Sequence, residues 1–188
     1  MKMLDEHEFV KIEKDLKKFE EKREEVIKLS REIIQLSKQI IYSLHREDKE
    51  SAEAILSHIK QKKQKLPEET YDAGIQMVAI QEFVEALSFY DFMVHNKIPT
   101  RDELKVDTES YLMGLCDLTG ELMRKAVKQV IEQKYNEAAK IKALVEEIYG
   151  AFLKFDLRNG ELRKKSDSIK WNLQKLEDLM CDIAVRRK

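Results

Sequence analysis

Two pairs of carboxylates sit where carboxylates are costly. Glu82 and Glu85, in Gln81-Glu82-Phe83-Val84-Glu85-Ala86, occupy one of the two most apolar stretches of the chain. Asp117 and Glu121, in Cys116-Asp117-Leu118-Thr119-Gly120-Glu121, occupy the other. On a helix, three-residue spacing places the first pair about 60° apart, and four-residue spacing places the second about 40° apart. Each pair then shares one face, with Cβ atoms roughly 5–6 Å apart. An ionised carboxylate away from water must be ion-paired, metal-bound or neutralised by a raised pKa. Bringing two like-charged pairs together increases the need for a cation. Mg²⁺ or Mn²⁺ suits a cluster of oxygens without His or Cys. Such a site, with one metal or two, would activate a water and steady the leaving oxygen in phosphodiester cleavage. The same spacing allows a buried ion-pair cluster. Arg124 and Lys128 fall on the stripe of Asp117 and Glu121, and Glu121–Arg124 is an ordinary i,i+3 pair. A ferritin-like di-iron site is disfavoured, because no Glu-x-x-His motif accompanies the pairs.

The elements that must hold these acids are helices. The chain has 188 residues, with 38% charged and 43% hydrophobic, and only 5 Gly and 2 Pro to punctuate it. That leaves enough apolar material for a core and too few turn residues for a many-stranded sheet. Lys plus Arg number 35 against 36 acids, a net charge of −1, which excludes a wholly basic nucleic-acid wrap. Cys116 and Cys181 have no zinc spacing and read as free thiols of a reducing compartment. No apolar run reaches the ~18 residues of a membrane span, and MKMLDEHEF lacks a signal-peptide core, so a cytoplasmic protein is expected.

Apolar periodicity predicts a first helix from Glu6 to about Glu47. Residues 1–20 form a helical extension, striped by Phe9, Ile12, Leu16 and Phe19. A helix of ~40 residues is ~60 Å long, which implies a partner against the overhang. Further helices are expected over Ser51–Lys65, Glu68–His95, a short turn after the Thr100-x-x-Glu103 capping box, Thr108–Gln133, Asn136–Phe155 and Glu161–Val185. Asp107 caps the fifth of these seven helices. Between Ile75 and Val94, 14 of 20 positions are apolar, leaving hardly any water-facing side. The expectation is all-α: one domain over 1–188, an antiparallel bundle of six to seven helices.

Gln81-Glu82-Phe83-Val84-Glu85-Ala86-Leu87-Ser88-Phe89 and the stretch Tyr111–Arg124, with Asp117-Leu118-Thr119-Gly120-Glu121-Leu122-Met123-Arg124 at its heart, resemble the translin family. The likeness is greatest to its translin-associated factor X type. Lys28–Ile33, Ile40–Arg46, Leu162–Asp167 and Ile183–Arg187 fit as well, in the same order, from about Glu21 onward. The resemblance implies a helical subunit of a barrel-like octamer that binds RNA inside and cuts it with Mg²⁺. On that likeness Glu82, Glu85, Asp117 and Glu121 are the catalytic and metal-binding set. The substrate would be single-stranded RNA, with duplex RNA and single-stranded DNA as further ligands, and a translin-type subunit as a candidate partner. The rival reading is a non-catalytic RNA- or DNA-binding scaffold of the translin type.

The chain departs from the family pattern at Tyr71-Asp72-Ala73-Gly74-Ile75-Gln76, which lacks the basic and His residues found before the acidic pair. RNA contacts are therefore assigned to Arg124, Lys128, Arg163, Lys164 and Lys165. For the last three, a solvated first helical turn is the alternative to phosphate binding. The insertion between the acidic helices of eukaryotic factor X is absent, as is a basic nuclear-targeting arm, which suggests a compact prokaryotic-type member. His7, His45, His58 and His95 have no partner spacing and read as surface or core-edge residues. Trp171 among Ile169, Leu173 and Leu176, together with Met113, Met123 and Met180, reads as packing.

Overall fold

The structure is a computed structural model that describes residues 4–71 and 73–186. Asp72 and Arg187, named above, lie outside the described residues. Seven α-helices are present among these: α1 Glu6–His45, α2 Lys49–Gln64, α3 Ile75–His95, α4 Arg101–Leu104, α5 Thr108–Ile131, α6 Tyr135–Phe152 and α7 Glu161–Arg186. Their starts are written locally. The Asp5, Asp48 and Asp107 side chains accept from the backbone N–H of His7, Ser51 and Ser110. Thr100 and Glu103 complete the reciprocal capping box of α4.

The sixth helix ends at Phe152, three residues before the expected Phe155, and the start of the third helix moves furthest. The helix predicted from Glu68 begins at Ile75. Glu68 to Thr70 carry no apolar periodicity, and Tyr71 sits at φ 47°, which no right-handed helix accommodates. The segment folds into a turn instead, held by the Gln76 side-chain amide donating to the Pro67 carbonyl at 2.6 Å.

α3 runs between α1 and α5, and α5 in turn packs on α6 and α7, while α2 returns along α1. The core is continuous across these contacts: Ile33, Ile40 and Leu44 of α1 meet Val84 and Phe89 of α3, Leu118 and Leu122 of α5, Val145 of α6 and Ile169 and Leu176 of α7. Every residue from Phe83 to Tyr90 is buried, including Glu85. By contrast, residues 4–22 of the chain are exposed throughout, so the Phe9, Ile12, Leu16 and Phe19 stripe has no cover from the core. Among the described residues no helix is long and apolar enough to cross a membrane.

The end of α1 is anchored by α5. Lys125, fully buried, donates to the Leu44 carbonyl at 3.1 Å, and Lys128 to the His45 carbonyl at 2.6 Å. Two cations thus meet the negative end of the helix dipole. Glu47, at φ 65°, folds back over them and accepts from Gln129 and Lys134. Those hydrogen bonds hold its carboxyl down at about 2. A depressed folded-state pKa contributes stability above pH 4.5 that is lost as pH falls toward 2. Because Glu47 is nearly half exposed, Glu47→Gln is expected to cost about 1–2 kcal/mol at pH 7 and to flatten the acid limb of a urea-denaturation series.

Candidate active site

The acidic pairs meet because α3 and α5 touch backbone to backbone. A Cβ at Gly114 would lie 2.6 Å from Val84 Cβ and 2.8 Å from the Gln81 carbonyl oxygen. Only glycine permits that approach. One turn beyond it, Asp117 and Glu121 of α5 face Glu82 and Glu85 of α3 across a cleft of about 680 Å³. Lys38, Ile41 and Tyr42 of α1 form a second wall, with Arg124 and Lys165 completing the rim.

The four acids are treated differently. Asp117 accepts from the Lys165 ammonium, which also donates to the buried Gln81 side chain at 3.2 Å. Glu121 is paired with His45 Nε2 and lies 3.5 Å from Arg124 Nη1. The His45 contact, followed by the Arg124 charge, lowers its pKa despite burial. Among the described residues Glu82 forms one ion pair, with Lys38 at 4.0 Å, and burial outweighs that cation, so its pKa is raised. Glu85 is 8% exposed and makes no hydrogen bond or ion pair with any described residue. Burial first, then repulsion from Asp117, Glu82 and Glu121, pushes it up to about 8. The adjacent Cys116 thiol is pushed up to about 12 by burial and by Asp117, which makes it inert; Cys181, also free, is exposed.

The expected quartet is therefore assembled in one place. Among the described residues, however, no three His, Cys, Asp or Glu side chains converge as metal ligands would. The donor set still fits a hard divalent cation: all oxygen, mutually repelling, with one member unpartnered. Asp117 would need to leave Lys165 to join it.

Of the residues assigned to RNA, Arg124 and Lys165 reach the cleft. Lys128 turns instead to the end of α1 and to Glu132 at 3.6 Å. Arg163 and Lys164 form exposed pairs with Asp167 and Glu161. Three contributors went unread in the sequence. His45, expected at the surface or the core edge, is buried against Phe89, with ring centroids 5.2 Å apart, and the unread part is its contact with Glu121. Lys38 and Tyr42 stand beside the acids. The available signal was their spacing, since 38, 41, 42 and 45 form one α1 stripe. Trp171 is a correction: it is 61% exposed while Ile169, Leu173 and Leu176 are buried, so it points outward rather than packing. Met113 is buried, and Met123 and Met180 lie against the core as expected.

Comparison with known proteins places this arrangement. An uncharacterized protein of Methanocaldococcus jannaschii is 34% identical over 160 residues, covering 81% of this chain and 72% of that protein. Rat translin-associated protein X is 26% identical over 226 residues, covering 95% and 78%. The match to chicken translin, at 33% over 81 residues, spans 43% of this chain and only 35% of translin. Among solved structures, apo-NeC3PO superposes with a TM-score of 0.86 at 33% identity, covering 96% of this chain and 98% of its own. AfC3PO in complex with duplex RNA superposes with a TM-score of 0.81 at 27% identity and the same coverage. The translin family model matches residues 21–187, acidic cleft included, and the chain belongs to the translin family.

Proposed function

We propose that this protein is a divalent-metal-dependent endoribonuclease that cleaves single-stranded RNA within an oligomer of itself. The observation that carries the reading is Glu85. A purely structural ion-pair cluster places a cation on each buried acid, whereas here the most buried acid of four has none. A bound Mg²⁺ or Mn²⁺ would supply the missing charge, polarise the scissile phosphate and make a nearby water more acidic. Glu82, Glu85 and Asp117 would hold it. With Asp117 on the metal, the Lys165 ammonium would be free, alongside Lys38 and Arg124, to pair with flanking phosphates. Glu121, fixed by His45 and Arg124, remains on the opposite wall as a further ligand or as the proton acceptor. Similarity to AfC3PO, solved with duplex RNA, supports RNA as the ligand.

The scaffold reading is favoured by one feature, the ion-paired state of Asp117 and Glu121. End-labelled single-stranded RNA separates the two. The nuclease reading expects cutting with Mg²⁺ that stops with chelator; RNA bound but intact at every Mg²⁺ concentration would leave the scaffold.

Self-association follows from the uncovered stripe on α1, whose exposure in isolation is costly. Light scattering on a sizing column is expected to report several copies per particle. A monomer at micromolar concentration would contradict it, unless a translin-type partner subunit completes the assembly.

A further inference from the structure

The wall of the acidic cleft continues along α1. Lys38 and Tyr42 line not only the cleft but also a second groove of about 570 Å³, which runs back past Gln35 and Ile34 to Arg31, with Ile75 as its far side. These positions follow a spacing of 31, 34, 35, 38, 39 and 42, one stripe of a single helix. From Arg31 to Tyr42 the stripe is about 16 Å long. It carries two cations and no acid. Tyr42, at the junction, is 58% exposed. Its ring is not loose: the Arg46 guanidinium lies over it, 5.5 Å from the centroid, and Nη1 donates to the hydroxyl at 3.4 Å.

We propose that this groove is the approach path of the RNA strand, with Tyr42 as a stacking platform for the nucleotide next to the scissile phosphate. The idea rests on the RNA reading above and adds to it a base-binding subsite and a direction. The exposed surface of the groove is almost wholly apolar, with Arg31 and Lys38 among its lining residues. An exposed aromatic face beside such a surface is what an unpaired base recognises, since every base has a π-face. Arg31 and Lys38 lie about 10 Å apart on the helix and are placed for phosphates of the same strand. Arg46 already stacks on one side of the ring and completes a sandwich when a base takes the other. A paired base keeps its faces covered by its neighbours, so the platform selects unpaired RNA at this point.

The test measures binding to the full-length protein by fluorescence anisotropy, with chelator present so that nothing is cut. Two strands of equal length are compared, one an oligouridylate and the other a chain of abasic ribose phosphates. Wild type should prefer the base-bearing strand. Tyr42→Ala should lose about tenfold on that strand and nothing on the abasic one, whereas Tyr42→Trp should keep the preference. Lys38→Ala should weaken both strands and lower the salt slope by about 0.7. Equal binding of both strands by wild type and Tyr42→Ala overturns the platform while leaving RNA binding intact. So does a shift in the sizing profile of Tyr42→Ala with affinity unchanged, which would make this face a contact between copies. Binding of neither strand by wild type overturns the RNA reading itself.

Discussion

Glu85→Gln is expected to move stability and activity in opposite directions. In the folded chain Glu85 holds its proton up to about 8, against 4.5 for an ordinary glutamate. A raised folded-state pKa contributes stability that is fully present below the unfolded value and is lost as pH rises through the folded one. The metal-free protein should therefore weaken between pH 4.5 and 8, while the amide variant, which has nothing to ionise, should not. At pH 5 the two should denature alike in urea. By pH 9 the variant should be more stable, by on the order of 2–4 kcal/mol. Divalent cation should close that gap by stabilising wild type alone, because only the carboxylate gains from it. RNA cleavage by the variant should fall by about 100-fold or more, since even the outer partners of metal ligands cost 10–100-fold in affinity. A variant less stable than wild type at pH 9 would mean that Glu85 has a cationic partner after all.

Gly114→Ala carries the second large effect, and it acts on the backbone. The added methyl meets Val84 Cβ at 2.6 Å and the Gln81 carbonyl at 2.8 Å. A side chain can turn aside; a helix carbonyl cannot. The relief available is separation of α3 from α5, which opens the buried contact of Val84, Leu118 and Leu122. A cost of about 3 kcal/mol, the upper range for overpacking, is expected in thermal or urea denaturation. The same separation draws Glu82 and Glu85 away from Asp117 and Glu121. Metal-dependent cleavage should then drop even at temperatures where the variant is fully folded. Gly120→Ala is the control, since its Cβ would meet only Asn172 Nδ2, at an ordinary 3.8 Å. Gly120→Ala should gain slightly from helix propensity, and a Gly114→Ala variant as stable as Gly120→Ala would contradict the steric role of the crossing.

Residue types and spacing placed the helices well where one element decides its own shape. The capping box at Thr100 and the aspartate before Thr108 are local chemistry, and both are found in place. The third helix departs from its apolar pattern, since Phe83 to Tyr90 are buried but Met77 and Val78 face outward. The pairing of the four acids was also legible, because each pair lies on one helix turn. Of their cations Arg124 was legible, as the i,i+3 partner that lies 3.5 Å from Glu121, but Lys165 and His45 were not. Lys165 reaches Asp117 from 48 residues away, and His45 reaches Glu121 from 76, so each partner is set by which helices pack and not by spacing. Lys125 makes the same point. On α5 the stripe of Asp117 and Glu121 pointed to Arg124 and Lys128, yet the fully buried cation is Lys125. It is tolerated because the Leu44 carbonyl and Glu47 meet it from another part of the chain. Trp171 shows the converse, since apolar neighbours in sequence did not carry it inward.

Burying the Glu85 carboxyl with no ion-pair partner, at the expense of its ionised form, is a standing cost to the fold, and a binding function gives it a physical reason. Crystals soaked in Mn²⁺ test that reason most directly. Anomalous scattering should place an ion in the cleft, coordinated by carboxylate oxygens of Glu82, Glu85 and Asp117, with Lys165 displaced from Asp117. A cleft without a manganese peak, Asp117 still on Lys165 and Glu121 still on His45 and Arg124, would contradict it.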